Sequence, residues 1–237
     1  MPSLLAIVLP AWNESAVIEQ VLREILNAES IREAAIHVID DGSTDGTPDL
    51  VQALSATSSR LSVSSLPHGG KDRALWHAFR TVESEWIAIL DADGQYVPDN
   101  VAMLLAAAQQ EGADACWGRR ERRSDHPWRL FCSRIAKGLK RRALGGLSVE
   151  DAGCGIWVAR VKYLKPVAEQ IKDPAGQVHC HLAELIEAQG GRVTQRPIQH
   201  RSRAGGTAKF GMWNRLGPGR RSLQQARDAV KKFRLHP

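Results

Sequence analysis

Three short apolar runs, each ending in polar or acidic side chains, limit what this chain can fold into. Leu4-Leu5-Ala6-Ile7-Val8-Leu9 runs into Pro10-Ala11-Trp12-Asn13-Glu14-Ser15, and Ile36-His37-Val38-Ile39 into Asp40-Asp41-Gly42-Ser43. The third, Trp86-Ile87-Ala88-Ile89-Leu90, runs into Asp91-Ala92-Asp93-Gly94-Gln95. Runs of this length and composition read as buried strands. Apolar residues at helical spacing follow the first, at Val17, Ile18, Val21, Leu22, Ile25 and Leu26. Strands alternating with helices specify a mostly parallel sheet covered on both faces. Such sheets bind ligands outside the carboxyl ends of their strands, where the three polar clusters fall. A helix cap explains one acidic strand end; three call for a common site.

The same reading places further strands over Leu61–Leu66, Ala113–Trp117, Gly155–Val158 and Arg192–Ile198. Helices are predicted over Thr47–Leu54, from after Gly70 through Val82, over Pro98–Gln110, over Val178–Ala188 and over Leu223–Phe233. Pro98 suits a first helical turn. Gly69-Gly70-Lys71 lacks the P-loop pattern and reads as a helix start. Phe131, Ile135 and Leu139 share one helical face, with Arg134, Lys137, Lys140 and Arg141 pointing elsewhere. The glycine-rich, basic stretch from Arg201 to Arg220 reads as a loop. Trp12, Trp76, Trp86 and Trp117 read as core residues.

Two carboxylates one residue apart at a strand end suit a hard divalent cation, which keeps waters and takes phosphate oxygens as its other ligands. That implies chemistry on a nucleotide diphosphate. Four cysteines lie far apart with no C-x-x-C pair, which argues against a zinc ribbon or a disulfide scaffold. His179-Cys180-His181 is weak as a metal site, because adjacent helical residues diverge. No apolar stretch approaches the ~18 residues of a membrane helix, and the N-terminus lacks a signal pattern. From Arg119 to Arg142 the chain carries ten basic residues against Glu121 and Asp125, within a net charge of +6. Such a patch favours phosphates or an anionic membrane. No nucleic-acid motif accompanies it, so nucleic acid is not expected as a partner.

Val8-Leu9-Pro10-Ala11-Trp12-Asn13-Glu14, Asp40-Asp41-Gly42-Ser43 and Asp91-Ala92-Asp93-Gly94-Gln95 resemble the signature series of the family 2 inverting glycosyltransferases. Val149-Glu150-Asp151-Ala152-Gly153-Cys154-Gly155 and Arg203-Ala204-Gly205-Gly206-Thr207-Ala208-Lys209-Phe210-Gly211 look like that family's polyprenyl-phosphate branch, the one that includes dolichyl-phosphate mannose synthase. The resemblance implies a GT-A fold, an α/β architecture with a Rossmann-like, mostly parallel sheet flanked by helices; many relatives in this branch continue into transmembrane helices, and no transmembrane segment is expected here. It implies a glycosyltransferase domain over residues 1–215; the residues that follow read as a basic amphipathic tail over 216–237.

Carried over by position, Pro10, Ala11, Asn13 and Glu14 would line the base and ribose pocket. Asp41 would bond the base with Asp40 alongside, and Asp91 would hold the nucleoside. Asp93 and Gln95 would bind Mg²⁺ or Mn²⁺ against the diphosphate, with Asp93 also counted as catalytic. Arg119, Arg129 and Arg134 would face phosphate or acceptor, Arg203 and Lys209 would close over the phosphates, and Asp151 is the candidate base. Ala208 stands where the family usually has serine, which removes one hydroxyl donor. The implied reaction moves a sugar from a UDP- or GDP-linked donor to a polyprenyl phosphate. The setting expected for it is cytoplasmic, with peripheral docking on the inner face of an anionic membrane. A soluble acceptor, or a catalytically silent sugar-nucleotide binding protein or scaffold, are the other readings of the same motifs.

Overall fold

The computed structural model describes residues 3–121, 138–146, 148–201 and 216–235. Seven strands form one sheet in the order β3-β2-β1-β4-β6-β5-β7. They are β1 (Leu5–Ala11), β2 (Ala35–Asp40), β3 (Leu61–Ser65), β4 (Trp86–Leu90), β5 (Ala115–Arg120), β6 (Ile156–Arg160) and β7 (Val193–Ile198). β6 runs antiparallel to both its neighbours, and the remaining pairings are parallel. From β1 the chain builds outward to β2 and β3, then returns to place β4 on the other flank of β1. Strand order thus reverses between β1 and β4, and sheets of this kind bind ligands outside the carboxyl ends of the strands at such a reversal.

The helices are α1 (Ile18–Asn27), α2 (Thr47–Ser55), α3 (Lys71–Thr81), α4 (Asp99–Gln110), α5 (138–144), α6 (Val161–Gln170), α7 (Leu182–Glu187) and α8 (Leu216–Leu235). Alternation along the strands separates two cores. Leu5, Ile7 and Leu9 pack with Ile18, Leu22, Val51 and Leu104, from α1, α2 and α4. Ala6 and Val8 face the other way, toward Trp76, Phe79, Leu164, Leu185 and Val230 of α3, α6, α7 and α8. Trp76, Trp86 and Trp117 are fully buried, as expected, together with Trp157. Trp12 is only half-buried and lies at the sheet edge.

The structure departs from the sequence reading in four places. α6 is unexpected because Pro166 sits inside it. A proline there forfeits a helical hydrogen bond, but Val161, Leu164, Val167 and Ala168 bury a continuous face that holds the helix in place. The predicted helix at Val178 begins as a short 3-10 turn, Val178–His181, before α7. α8 starts at Leu216, inside the expected loop, with Pro218 in its first turn, where proline is tolerated. Finally, α5 turns Lys140 inward and Leu139 outward, against the expected amphipathic arrangement. Glu184 of α7 causes this by pairing with the Lys140 Nζ at 2.8 Å. Ala226, Ala229 and Val230 of α8 are buried in the domain core, so the helix's apolar face is already occupied.

Candidate active site

The polar clusters meet along one edge, in the order set by the sheet. At the β1–β2 end, Ala11 and Asp40 are register partners, and Asp41 N–H bonds the Ala11 carbonyl at 2.8 Å. The loop after β1 is laced to the loop after β2. Asn13 N–H donates to Ser43 Oγ at 2.8 Å, Thr44 N–H to Asn13 Oδ1 at 2.8 Å, and Glu14 N–H to Thr47 Oγ1 at 2.9 Å. Asn13 takes a left-handed conformation, φ 51°, which asparagine tolerates better than most residues. Asp40 accepts from Ser43 N–H at 3.2 Å.

Asp41 is buried and serves as an anchor. Its two carboxylate oxygens accept Gly69 N–H at 2.9 Å and Gly70 N–H at 2.8 Å, and His68 Nδ1 lies 2.9 Å from Oδ2. The loop before α3 therefore hangs on Asp41. A Cβ on Gly42 would meet His68 N at 2.7 Å, so only glycine lets the two loops approach this closely. The His68 ring stacks on Trp12, with centroids 4.5 Å apart and planes 23° apart. Pro10, Ala11, Asn13, Glu14, Asp40 and Asp41 thus gather into one wall, joined by Trp12 and His68.

At the β4 end, Lys71 opens α3, as the sequence indicated, and its Nζ lies 2.5 Å from Asp91 Oδ1. The Asp91 charge outweighs the burial that would otherwise lower the lysine's pKa, and raises it. Gly155 leaves room for Asp91, since a Cβ there would sit 2.0 Å from Asp91 Oδ2. Asp93 is buried, and its Oδ1 accepts Gln95 N–H at 3.2 Å. The chain beyond β7 returns to this point. Arg201 N–H bonds the Gln95 carbonyl at 2.8 Å, and His200 bridges to Tyr96 with its ring edge-on, centroids 5.5 Å apart. Burial, followed by the Arg120 charge, lowers the His200 pKa against the opposing pull of Asp93 and Asp151. His200 therefore belongs to the electrostatic neighbourhood of both acids.

At the β5 end, the candidate base Asp151 is clamped. Arg120 Nε and Nη2 each lie 2.8 Å from one of its oxygens, a bidentate fork. Hydrogen bonding to Asp151 raises the Arg120 pKa further. Arg119 points away to Glu150 at 3.6 Å with both side chains exposed. The arginine that meets the acid is Arg120, next in sequence to Arg119, the residue assigned by resemblance to phosphate or acceptor. Strand alternation could have separated the two, but nothing local says which face the 148–155 loop covers. Lys71, Arg120, His200 and His68 are the members of this edge that sequence reasoning missed or set aside. The signal for Lys71 was present in Gly69-Gly70-Lys71. Arg129, Arg134, Arg203 and Lys209 lie outside the described residues.

Among the described residues no group of three His, Cys, Asp or Glu is arranged to hold a metal. His179 and His181 are accounted for otherwise. His179 pairs with Asp72 at 3.1 Å, and His181 Nε2 lies 3.4 Å from Ser222 Oγ. The acid assigned to a divalent cation by resemblance, Asp93, lies buried at the β4 end with Gln95 beside it. That fits a hard cation held by one or two carboxylates and completed by water and phosphate oxygens.

An α/β domain with its acids and cations aligned across a topological switch point carries its charged side chains where such sheets bind ligands. Comparison with known proteins places it more closely: the profile described as Glycosyl transferase family 2 matches residues 6–167. The chain belongs to that family. It is 27% identical over 216 residues to undecaprenyl-phosphate 4-deoxy-4-formamido-L-arabinose transferase of Edwardsiella ictaluri, covering 87% of this chain and 63% of that protein. The Salmonella choleraesuis protein of the same name is 29% identical over 214 residues, covering 86% and 62%. The chain thus spans somewhat less than two thirds of these relatives.

Among solved structures, glucosyl-3-phosphoglycerate synthase from Mycobacterium tuberculosis, in complex with Mn²⁺, UDP-glucose and phosphoglyceric acid, superposes with a TM-score of 0.65. It is 22% identical, over 97% of this chain and 80% of that one. The mannosyltransferase PcManGT from Pyrobaculum calidifontis, in complex with GDP-Man and Mn²⁺, gives 0.60 at 17% identity, over 98% and 74%. At these identities the likeness establishes the GT-A fold.

Proposed function

We propose that this chain is a metal-dependent, inverting glycosyltransferase that moves a sugar from a UDP- or GDP-linked donor to a polyprenyl phosphate. The observation that carries the acceptor assignment is the Arg120 clamp on Asp151. A carboxylate whose two oxygens each accept from a guanidinium fork is placed to orient that arginine. A hydroxyl acceptor needs a base, whereas a phosphate monoester arrives ionised and needs only to be positioned. Asp151 then serves, through Arg120, to fix the geometry of the reaction centre. The relatives named for undecaprenyl phosphate support the same acceptor class.

The donor would lie along the edge from Asp41 to Asp93. The Trp12–His68 wall and Asp41 take the nucleoside end, while Lys71 and Asp91 mark the passage to the diphosphate. Asp93, Gln95 and His200 would hold Mg²⁺ or Mn²⁺, and solved neighbours carrying those ions support this. When bound, such a cation neutralises charge on a departing diphosphate. Lys71 adds a fixed positive charge beside the same position, and Arg120 another at the acceptor end. Site residues Arg119, Arg129, Arg134, Arg203 and Lys209 are proposed for the phosphates and acceptor on resemblance.

No helix among the described residues is long and apolar enough to cross a membrane. The proposed access to a lipid acceptor is peripheral docking on the anionic cytoplasmic face. Calorimetric titration with UDP and GDP, with and without Mn²⁺, tests the donor site, and transfer to a polyprenyl phosphate tests the acceptor. Asp93→Ala should lower turnover by at least about a hundredfold, the scale of losing a transition-state charge partner. Normal turnover in that variant, or transfer only to a soluble hydroxyl acceptor, overturns the reading.

A further inference from the structure

The inversion of α5 leaves a leucine on the surface among basic side chains. Lys140 is buried, and its ammonium is spent on Glu184 and on the Cys180 carbonyl at 2.7 Å. Its neighbour Leu139 is 58% exposed. An interior lysine costs desolvation free energy, and an exposed leucine recovers nothing in water. The Glu184 pair accounts for the inward lysine and leaves Leu139 available to an apolar phase. A second exposed leucine, Leu235 at 74%, ends α8. The two helices are tied at this corner: Arg234 Nη2 donates to the Leu144 carbonyl at 3.2 Å, and its guanidinium lies 3.5 Å from where a Cβ on Gly145 would be. Leu139 is five residues before Leu144, about 7.5 Å along the helix axis.

The residues around the two leucines are cationic. Arg142 follows Leu139 by three positions and Lys231 precedes Leu235 by four, so each leucine has a basic neighbour on its own helix face. Arg141, Lys232 and Arg234 are exposed beside them. Exposed apolar side chains flanked by lysine and arginine have the chemistry to meet an anionic lipid interface, the apolar groups entering it and the cations pairing with headgroups. We propose that the α5–α8 corner is the membrane-docking surface of this chain, with Leu139 and Leu235 entering the headgroup layer and the basic ring meeting anionic lipid. The proposal deepens the lipid-acceptor reading by naming the surface. It differs from insertion of the α8 apolar face, which the domain itself buries.

The experiment is flotation of the whole chain with phosphatidylcholine vesicles and with vesicles containing phosphatidylglycerol, across a salt series. Wild type should bind only the anionic vesicles, and less as salt rises. Leu139→Asp/Leu235→Asp should lower partition at least about tenfold, the order expected for withdrawing two leucine side chains from an apolar layer. Its melting temperature and nucleotide affinity should stay unchanged, which excludes misfolding. Wild-type partition in the double variant, equal binding to neutral vesicles, no vesicle binding at all, or a dimer that the variant splits would each overturn the assignment. If vesicle binding behaves as stated while no sugar reaches a polyprenyl phosphate, the fault lies with the function and not with the surface.

Discussion

The two halves of the sheet edge hold their acids by different means. On the β2–β1 side, Asp40, Asp41 and Asp45 are satisfied mainly by backbone N–H groups of nearby loops, at Ser43, Gly69, Gly70, Thr47 and Ser15. On the β6–β5 side and behind it, Asp151 is held by the cationic side chain Arg120 and Glu184 Oε1 by Lys140, while the buried Glu184 Oε2 has no hydrogen-bond partner among the described residues. A backbone donor cannot be mutated away and carries no net charge. A side-chain cation can be lost in one substitution, and it leaves a buried charge behind. The first half is therefore held by the backbone, and the second by paired charges whose balance one substitution can break.

The comparison breaks most visibly at Lys140. Its side chain and that of Glu184 are 9% and 4% exposed, so Lys140→Met strands a carboxylate in the core. The expected loss is about 3–5 kcal/mol, the range for breaking a buried pair, and Lys140→Met/Glu184→Leu should recover most of it. Burial, partly opposed by Lys140, already pushes the Glu184 pKa up, and removing the lysine pushes it further. A folded-state pKa above the unfolded one means that the native state binds more protons, so the single variant should lose stability as pH rises through that range. Thermal melts of the three proteins between about pH 5 and pH 8 check both the size and the sign. Equal melting of wild type and Lys140→Met would make the inward lysine incidental.

Arg120 ranks next. Arg120→Ala should cost about 2–3 kcal/mol, the scale of a hydrogen bond to a charged group whose partner stays buried. Arg120→Lys should recover only part, because an ammonium cannot reproduce the fork. If Asp151 acts by position, both variants should lower kcat while leaving nucleotide affinity near wild type. A variant that instead gains transfer to hydroxyl acceptors would show the clamp to be what holds Asp151 back from base chemistry.

These contrasts explain what could be read in the chain before folding. The sheet and its ligand edge follow from strand-length apolar runs, and the backbone-held acids follow from turn sequences such as Asp40-Asp41-Gly42-Ser43, since both are local signals. Lys140 against Glu184 and Arg120 against Asp151 are set by which strand and helix end up adjacent, and no local spacing encodes that. The same holds for His200, brought to Asp93 only because the chain leaving β7 pairs with Tyr96. α6 was hidden by Pro166, whose local cost is overridden by burial of one helix face. Leu139 and Lys140 were assigned to the wrong sides because helical periodicity assumes that a lysine has no interior partner.

The smallest effect belongs to the backbone-held half, at Asp45. Its carboxylate accepts Thr47 Oγ1–H at 2.5 Å, Thr47 N–H at 3.1 Å and Ser15 N–H at 3.0 Å. Burial slightly favours the neutral acid, but these donors outweigh it and hold the pKa at about 2 against an ordinary 3.8. A folded-state value below the unfolded one stabilises the protein above about pH 4, and that contribution disappears as pH falls through the folded value. Asp45 is exposed, so its contribution is screened and should stay under about 1 kcal/mol. Asp45→Asn should therefore melt slightly below wild type at neutral pH, with the two curves converging toward about pH 2. A gap that persists at acid pH would mean that the loop is held by shape and not by charge, and the contrast between the two halves would narrow to the buried pairs alone.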